Sequence, residues 1–503
     1  MSPPSKKARP GKRSSEVARP TPTPPARRRA GKRAEAGSGG GTRRWRGALA
    51  GKRLAVRIGW WVAVGALLLP PFVLLAGLRD PFRLPKMLLA ELLVPLSLVF
   101  LSFGLRRVER IEWRRVAILP AVRALVPLWL VAATSAVLSP HPRHSQEALW
   151  SMSIGTLAVL AWSVGLPRKR QALDLLLIPA VVLAVIAVLQ HHEVFRPFEL
   201  ARQSGRFEMS SLAGNVGDLG AYLVLPLLVA QAGLVRALAA GRKRLSAGAV
   251  VISLLFFYTL LIGQTLSAIA AAFVSTALFW LLRAPSLVGA AARWRLPVIG
   301  GAVAAAVLGL LLVEPARERV QRKIQEVGTG SINDALTGRL DGWRAGADML
   351  ARNPLLGVGP GGYRAEFAST KLAMIEDGAR FWWGHGDGSL FVNAHNEVIE
   401  LGAELGAIGL LALGWGAVVV LAELRRRPLR SLEDRVDVDG DRRALEWAGL
   451  AALAVLSMTY FPMRTALVAY PFLLLLAWVL EPRDVEDVEA SRPQPPPTGG
   501  PKP

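Results

Sequence analysis

Apolar runs about as long as a bilayer-crossing helix recur along most of this chain, and they constrain its fold more than any other feature. A helix needs roughly 20 predominantly apolar residues to cross the hydrocarbon core. Because the backbone inside lipid has to satisfy its own hydrogen bonds, such runs form helices. Hydrophobic residues make up 52% of the sequence, and the period-two alternation of a membrane barrel is absent. The sequence therefore predicts an all-α integral membrane protein.

We predict about 12 transmembrane helices on this criterion. Their approximate positions are 60–78, 84–105, 116–138, 147–166, 172–190, 217–235, 247–263, 266–282, 297–313, 397–422, 444–461 and 465–480. Only residues 263–265 (GQT) separate the seventh span from the eighth. The count therefore depends on a helix break at this point.

The charges of the loops predict the orientation of the chain. Every second loop carries clustered Lys and Arg, as in residues 168–170, 242–244 and 425–427, whereas the loops between them hold few, such as Arg79, Arg83, Arg143 and Arg464. Loops on the cytoplasmic side of membrane proteins carry the excess of Lys and Arg. We therefore predict that both termini are cytoplasmic and that the poorly charged loops face the other side.

The two ends of the chain differ in composition from the predicted membrane domain at residues 54–480. Residues 1–53 contain sixteen Lys and Arg residues against two glutamates and have no apolar period, which predicts a disordered basic cytoplasmic tail. Nucleic-acid binding is one reading of such a tail, but no aromatic residue interleaves the charges before Trp45. Contact with anionic membrane lipid, and no nucleic acid, is the reading we favour. Residues 481–503 predict a second disordered cytoplasmic tail.

Two predicted outside loops are much longer than the others, at about 191–216 and 314–396. Loops of this length are usually functional or disordered. The second contains Trp343, Phe367, Trp382 and Phe391, so its composition indicates a small folded element that packs on the membrane surface. The chain has no cysteine, which excludes disulfides, thiolate metal sites and a cysteine nucleophile.

A short helix is predicted near the middle of the second long loop. Leu340, Trp343, Ala347 and Leu350 have helical spacing and give one apolar face. We predict Thr337 as the N-cap and a helix end at residues 353–354 (NP). The glycines of residues 355–363 (LLGVGPGGY) then allow turns, but they form no Walker loop because no Lys-Ser/Thr pair follows.

Two arginines in the outside loops are candidates for binding phosphate. Arg339 lies in the first turn of the predicted helix, where guanidinium and helix-start N–H groups both favour an anion. Arg206, in residues 204–207 (SGRF), faces the same compartment, so the pair could hold a diphosphate from both sides. Surface arginines that face lipid headgroups are the plainer alternative, and Arg196 and Arg202 lie nearby.

His395 is the candidate general base, since it lies where the tenth span begins and histidine exchanges protons near neutral pH. Asn396 follows it, and Glu400 and Glu404 share one helix face inside the span, where ionisable residues are usually functional. The alternative is that His395 caps the helix and that the glutamates pair with arginines. No ligand spacing repeats around His385 and its neighbours, so we expect no metal site.

Residues 337–343 (TGRLDGW), 353–363 (NPLLGVGPGGY), 394–397 (AHNE) and 404–406 (ELG) together resemble the signature of the O-antigen ligase family. In that family an Arg-x-x-x-Trp helix leads to a Pro-Leu-x-Gly-x-Gly turn, and a variable insert is followed by His-Asn and Glu-Leu-Gly. The resemblance covers roughly residues 200–425, and the layout of about 12 spans agrees with it.

The resemblance implies a membrane glycosyltransferase with a GT-C-like fold that needs no metal or other cofactor. Its donor would be a glycan on undecaprenyl diphosphate, its acceptor lipid A-core or another glycan, and its active site periplasmic, at the bacterial inner membrane. By this resemblance Arg206 and Arg339 bind the diphosphate and His395 activates the acceptor hydroxyl. We assign Trp343, Asn396, Glu400 and Glu404 to the support of the site.

One stretch departs from the family pattern. Family members often carry Thr-x-Ser-Arg near the end of the seventh span, whereas this chain has residues 264–268 (QTLSA), without an arginine. Arg380 or Lys371 could supply the missing cation.

The sequence leaves several functions open beside the ligase. O-antigen polymerase and protein O-oligosaccharyltransferase share the signature and the donor chemistry. A glycolipid transporter or flippase is a different class, but we find no internal repeat of the kind that many transporters show. A structural scaffold is a third class, in which the two terminal tails would carry the function.

Overall fold

The computed structural model describes residues 39–78, 80–105, 116–196, 208–287, 312–330, 332–379, 391–426 and 438–482, and every secondary-structure element in them is helical. The chain divides into two units, Met1–Ala50 and Gly51–Pro503. Apart from residues 39–50, all the described residues belong to the second unit.

The helices most relevant to a membrane are long and apolar. They are α1 (Gly39–Leu68), α2 (Arg83–Leu105), α3 (Pro120–Leu138), α4 (Pro142–Gly165), α5 (Lys169–Leu175), α6 (Leu177–His191), α7 (Val216–Ala239), α8 (Lys243–Ile262), α9 (Leu266–Leu287), α14 (Glu397–Arg426), α15 (Val438–Thr459) and α16 (Ala466–Val479). Within the described residues, nine segments are long and apolar enough to cross a bilayer, with α5 and α6 together forming one of them.

The predicted spans agree with these helices wherever the structure describes them. The first eight predicted spans and the tenth each overlap one of the nine segments, and the last two overlap α15 and the shorter apolar helix α16. The break between spans seven and eight is present, because α8 ends at Ile262 and α9 begins at Leu266. The predicted span at 297–313 lies outside the described residues except for its last two. A membrane protein of helices is thus confirmed, and the count of 12 stays a prediction.

Two predicted boundaries differ from the structure. Helix α1 begins at Gly39, earlier than the end of the basic tail at residue 53, and residues 1–38 lie outside the described part of the chain. At the other terminus Glu481 is held in place, since it accepts hydrogen bonds from Lys169 (2.6 Å) and Arg442 (2.8 Å). The rest of the predicted C-terminal tail, from residue 483 onward, is not described.

Helix α7 lies at the centre of the bundle. Its bilayer-length window is 78% buried, the largest share among the nine segments. It packs against α8, α9, α15 and α16, and the apolar side chains of residues 223–229 are inaccessible to solvent. Because the interior is filled in this way, the polar groups that could perform chemistry are concentrated at the ends of the helices.

The two ends of α7 show how far apart these polar regions are. Asp218 near its start pairs with Arg83 (2.8 Å), and Arg236 near its end pairs with Asp174 (2.8 Å). At 1.5 Å of rise per residue they are about 27 Å apart, close to the thickness of a hydrocarbon core. We call the end with Asp218 the His395 end, because α14 also starts there, and the opposite one the Glu481 end.

The second long loop folds as helices on the His395 end, as its composition predicted. They are α10 (Glu314–Gly328), α11 (Ile332–Ala335), α12 (Arg339–Arg352) and α13 (Gly362–Glu376). A small core of its own joins α12 and α13 to the start of α14, with Met349, Tyr363, Phe367 and Ala394 buried. Residues 380–390 of this loop are not described.

The predicted apolar face of α12 is wrong at Ala347, and its other residues, Leu340, Trp343 and Leu350, are half-buried. Ala347 is exposed, and the buried face is formed by Asp341, Gly342, Ala345, Gly346 and Met349. The reason is close helix packing, since a Cβ atom on Gly346 would lie 2.7 Å from the Ile399 side chain on α14. Helix α12 starts after Gly338, with φ 76°, rather than after a Thr337 cap, and it ends before Asn353 as predicted.

Candidate active site

The glycine-rich turn after α12 fits into a break in helix α14. Gly406 has φ 65° and ψ −166°, which is not helical, so the helix leaves backbone groups free on both sides of it. The turn supplies their partners: Val358 N–H donates to Ala403 O (3.0 Å), Gly359 N–H to Glu404 O (2.9 Å), and Ala407 N–H to Pro354 O (2.8 Å). The motif therefore has a structural role, in joining the loop to the membrane helix.

Glycine is required at the points of closest approach in this joint. A Cβ atom on Gly357 would overlap the backbone of Glu404, and one on Gly406 would overlap the carbonyl of Leu355. Both residues also have positive φ, which side chains disfavour. Ser135 and Ser139 of the α3 end donate to carbonyls of the same turn, at 2.7 Å to Leu356 O and 2.9 Å to Val358 O.

Glu400 fixes the turn that presents His395. Its carboxylate accepts hydrogen bonds from Asn393 Nδ2 (3.0 Å) and Ala394 N–H (2.8 Å). Asn396 caps α14, since its Oδ1 accepts from the N–H groups of Val398 (3.0 Å) and Ile399 (3.1 Å). His395 between them has φ 54°, an unfavourable conformation that persists only where the surroundings impose it. The helix cap is therefore Asn396 rather than His395.

Arg464 joins the glutamates of α14 to the segment between α15 and α16. Its guanidinium lies 3.2 Å from Glu400 Oε1 and 2.5 Å from Glu404 Oε2, and both carboxylates are buried. Glu397 accepts hydrogen bonds from Ser457 (2.8 Å) and from Met463 N–H (2.6 Å) in the same region. Glu400 and Glu404 therefore pair with an arginine, which is the alternative that the sequence left open.

His395 is enclosed by aromatic rings and by two arginines. Its ring lies 5.0 Å from that of Phe461 and 6.1 Å from that of Phe391, between ring centroids. Burial, and then the positive charges of Arg339 and Arg83, lower the pKa of His395 to about 4. Its buried Nδ1 has no hydrogen-bond partner within the described residues. A neutral imidazole with a free nitrogen is thus available to accept a proton.

Arg339 is the first residue of α12 and has no carboxylate partner in the portion of the chain that the structure describes. Burial lowers its pKa, and the nearby Arg319 of α10 lowers it further. Arg319 also has a buried Nε that lacks a hydrogen bond within the described residues, and its pKa is lowered by burial and by Arg322, with Glu326 acting in the opposite direction. The two guanidinium groups therefore give this position an excess of positive charge that favours an anion.

Trp343 lies one turn after Arg339 on the same helix face. Its indole Nε1 is buried and has no hydrogen-bond partner among the described residues. Arg206, the other predicted phosphate residue, lies in residues 197–207, which are not described. Arg380, one of the two cations named for the departure from the family pattern, is also not described, and Lys371 lies on α13.

The sequence reading missed a second cationic group at this end. Arg83, the first residue of α2, forms two hydrogen bonds with Asp218 of α7, from Nε to Oδ2 (2.8 Å) and from Nη2 to Oδ1 (2.9 Å). The Tyr460 hydroxyl donates to the same carboxylate. The Arg83 guanidinium also lies 5.3 Å from the centroid of the Phe461 ring, which His395 contacts too. Asp218 was the available signal, since an acidic residue inside a span is rare without a function.

Residues from distant parts of the chain therefore meet at one site. Arg339 and Arg83 are both close enough to lower the pKa of His395. Arg464 pairs with Glu404 of α14, the helix that begins two residues after His395. Within the described residues no group of three or more His, Asp or Glu side chains is arranged to hold a metal ion.

Comparison with known families matches residues 249–414 to the family described as O-antigen ligase. The resemblance to the O-antigen ligase family is confirmed. The match covers about a third of the 503 residues. No curated protein matches the chain.

The matched segment begins in α8 and ends in α14, so it includes Arg339, Trp343 and His395. Arg83, Asp218 and Arg464 lie outside it, yet the structure brings them to the same end of the bundle. The matched family suggests a glycosyltransferase-like enzyme and implies glycan and lipid-linked substrates in general.

Proposed function

We propose that this protein is an O-antigen ligase that moves a glycan from undecaprenyl diphosphate to a hydroxyl of lipid A-core. The His395 end would be the periplasmic face of the bacterial inner membrane, and both termini would be cytoplasmic. The observation that carries the proposal is a neutral His395, whose Nδ1 has no hydrogen-bond partner among the described residues, near Arg339, which has no ion-pair partner among them. This pairing provides a base and an anion site at one position, without a metal ion.

The reaction follows from these two groups. The acceptor oxygen attacks the anomeric carbon, the bond from that carbon to the diphosphate oxygen breaks, and the hydroxyl proton passes to the imidazole of His395. Attack opposite the leaving group inverts the anomeric carbon. Negative charge develops on the diphosphate, and fixed guanidinium groups stabilise that charge in the transition state. Arg339 and Arg319 are the described residues best placed for this role, and Arg206 stays a further candidate.

Donor binding would also prepare the base. In the free protein the charges of Arg339 and Arg83 help to hold the pKa of His395 at about 4. A bound diphosphate offsets these charges, so the pKa of His395 rises towards its ordinary value of about 6.5. The imidazole thus becomes a stronger base only when the leaving group is in place.

Substitution of the two central residues tests the proposal. Arg339→Ala should lower transfer by about 100-fold or more, as loss of a group that stabilises developing charge does elsewhere, and His395→Ala should abolish it. Arg344→Ala on the same helix, where the side chain is 51% exposed, and His192→Ala at the end of α6 are the matched controls. Near wild-type transfer by either Arg339→Ala or His395→Ala, at equal membrane insertion, would overturn that residue's role.

The reaction product separates the related functions. In a deletion strain, loss of the long lipopolysaccharide ladder with accumulation of lipid-linked polymer identifies a ligase. A product with a single repeat identifies a polymerase, and loss of a glycoprotein identifies a protein O-oligosaccharyltransferase. Movement of a glycolipid between leaflets by the purified protein, without a new glycosidic bond, would instead identify a flippase.

A further inference from the structure

We propose that a cavity at the His395 end, lined by Arg83, Lys86 and Arg464, binds a phosphate group of one of the two lipid-linked substrates. This inference rests on the proposed function and adds a second anion site to it. The cavity lies between the start of α2 and the segment that leads into α16, and Asp218, Thr465 and Leu467 also line it.

Lys86 is the residue that points to a ligand. Its side chain is 2% exposed, and its ammonium donates a hydrogen bond to Val73 O (2.9 Å) and lies 5.3 Å from the centroid of the Phe82 ring. No carboxylate lies within 4.0 Å of the ammonium in the described ranges, and Asp218 and Asp80 attract it only from a greater distance. An ammonium has three donors and is strongly hydrated. Burial of such a group without a counter-ion is unfavourable, so the cavity is suited to an anion.

The other charges of the cavity are already paired. Asp218 has both oxygens engaged by Arg83 and one of them also by Tyr460. Arg464 is balanced by Glu400 and Glu404 behind it. Among the described residues, Lys86 is therefore the cation of this cavity that forms no ion pair. The first turn of α2 adds the positive end of its helix dipole.

The wall of the cavity also indicates what kind of phosphate it takes. Ala213, Ala466 and Leu467 and the stem of Met87 lie beside the cations. The cavity is small, at about 20 Å³, which excludes a polysaccharide and limits the ligand to one small group beside the cations. A polyprenyl phosphate of the donor and a phosphate on a lipid acceptor both have this chemistry.

Arg83 connects the cavity to the chemistry at His395. It lines the cavity, it packs against Phe461, and its charge lowers the pKa of His395. An anion bound at Lys86 therefore also reduces the positive potential at His395. Lys86 is a binding residue in this scheme, and Asp218 is a positioning residue that orients Arg83.

The test compares Lys86→Met, which keeps the stem and removes the charge, with Lys86→Arg, which keeps the charge. The matched control is Lys243→Met, at an exposed lysine that starts α8. With the full-length protein in nanodiscs, Lys86→Met should raise KM for the phosphate-bearing substrate about tenfold or more, while Lys86→Arg and the control stay within about threefold of the wild type. A rise in KM for the undecaprenyl-linked donor alone assigns the cavity to the donor, and a rise for the acceptor alone assigns it to the acceptor.

Thermal unfolding provides a second measurement that does not depend on transfer. Undecaprenyl phosphate should raise the melting temperature of the wild type and not that of Lys86→Met. Without added lipid, Lys86→Met should melt at or above the wild-type temperature, because an unpaired buried charge has been removed. A purely structural lysine predicts a lower melting temperature and an unchanged response to undecaprenyl phosphate, and that result would overturn the proposal.

The two proposals fail in different ways. If the wild type transfers glycan and Lys86→Met keeps both KM values and the lipid response, the cavity has no phosphate role and the proposed function stands. If the wild type makes no glycosidic bond while Lys86 is still needed for stabilisation by undecaprenyl phosphate, the proposed function fails and the cavity remains a phosphate site.

Discussion

Arg464→Met should destabilise the protein and inactivate it through a residue that need not touch the glycan. The substitution keeps a side chain of similar length and removes the guanidinium that lies 3.2 Å from Glu400 and 2.5 Å from Glu404. These carboxylates are 2% and 4% exposed. After the substitution both remain buried close to each other, with no cation between them.

The loss in the free energy of unfolding depends on the hydrogen bonds and the water contacts that each carboxylate keeps after the substitution. Removal of one partner from a buried ion pair typically costs 3–5 kcal/mol. Glu400 keeps two hydrogen-bond donors, Asn393 Nδ2 and Ala394 N–H, and the Arg464 side chain is 32% exposed, so water can partly replace it. We therefore expect a loss at the lower end, about 3 kcal/mol of the free energy of unfolding. Because Glu400 fixes the turn before His395, glycan transfer should fall as well.

Unfolding in mixed micelles, followed by the fluorescence of the fifteen tryptophans, measures this loss. Arg143→Met is the matched control, because Arg143 is 90% exposed and its contact with Glu147 is 3.6 Å long; we expect less than about 0.5 kcal/mol there. Glu404→Gln in the Arg464→Met background should recover part of the stability, since it removes one of the two unpaired charges.

The double-mutant cycle decides whether the reasoning holds. A coupling of about 1–3 kcal/mol between Arg464 and Glu404 is expected for a buried charged pair. If the effects of the two substitutions simply add, or if Arg464→Met unfolds like Arg143→Met, the pairing does not stabilise the His395 end and the argument is refuted.

Three further predictions follow from other contacts. Gly406→Ala should destabilise the protein by at least about 2 kcal/mol, since it combines positive φ with an overlap on a neighbouring backbone, whereas Gly248→Ala, with open space around it, should change the free energy of unfolding little. Asp218→Asn should lower glycan transfer about tenfold or more, because it weakens the two charge-assisted hydrogen bonds that orient Arg83. Unchanged kcat and KM would contradict this prediction. Melting temperature should fall as the pH drops from about 6.5 to about 4, because the unfolded chain binds a proton at His395 that the folded chain, with its pKa of about 4, does not; His395→Gln should flatten that part of the profile.

The membrane helices could be predicted from the sequence because they depend on local composition. A run of about 20 apolar residues leaves the backbone no alternative to a helix in lipid, so the predicted spans overlap the observed helices wherever the structure describes them. The break between α8 and α9 could also be predicted, because residues 263–265 interrupt the apolar run locally. The buried face of α12 could not be, because Gly346 packs closely on α14 and Gly342 on Tyr363 and Ala394, and periodicity counts glycine as neutral.

The sequence by itself determined the apolar helices, the folded character of the long loop, and the motifs around Arg339 and His395, because each of these is written in neighbouring residues. Only the tertiary structure showed that Arg83, Asp218 and Arg464, which lie hundreds of residues apart, meet beside His395. It also decided that Glu400 and Glu404 pair with Arg464 and that Lys86 lies buried with no ion pair among the described residues. The physical reason is that charge pairing depends on distance in space, and no spacing along the chain specifies which loops of a bundle come together.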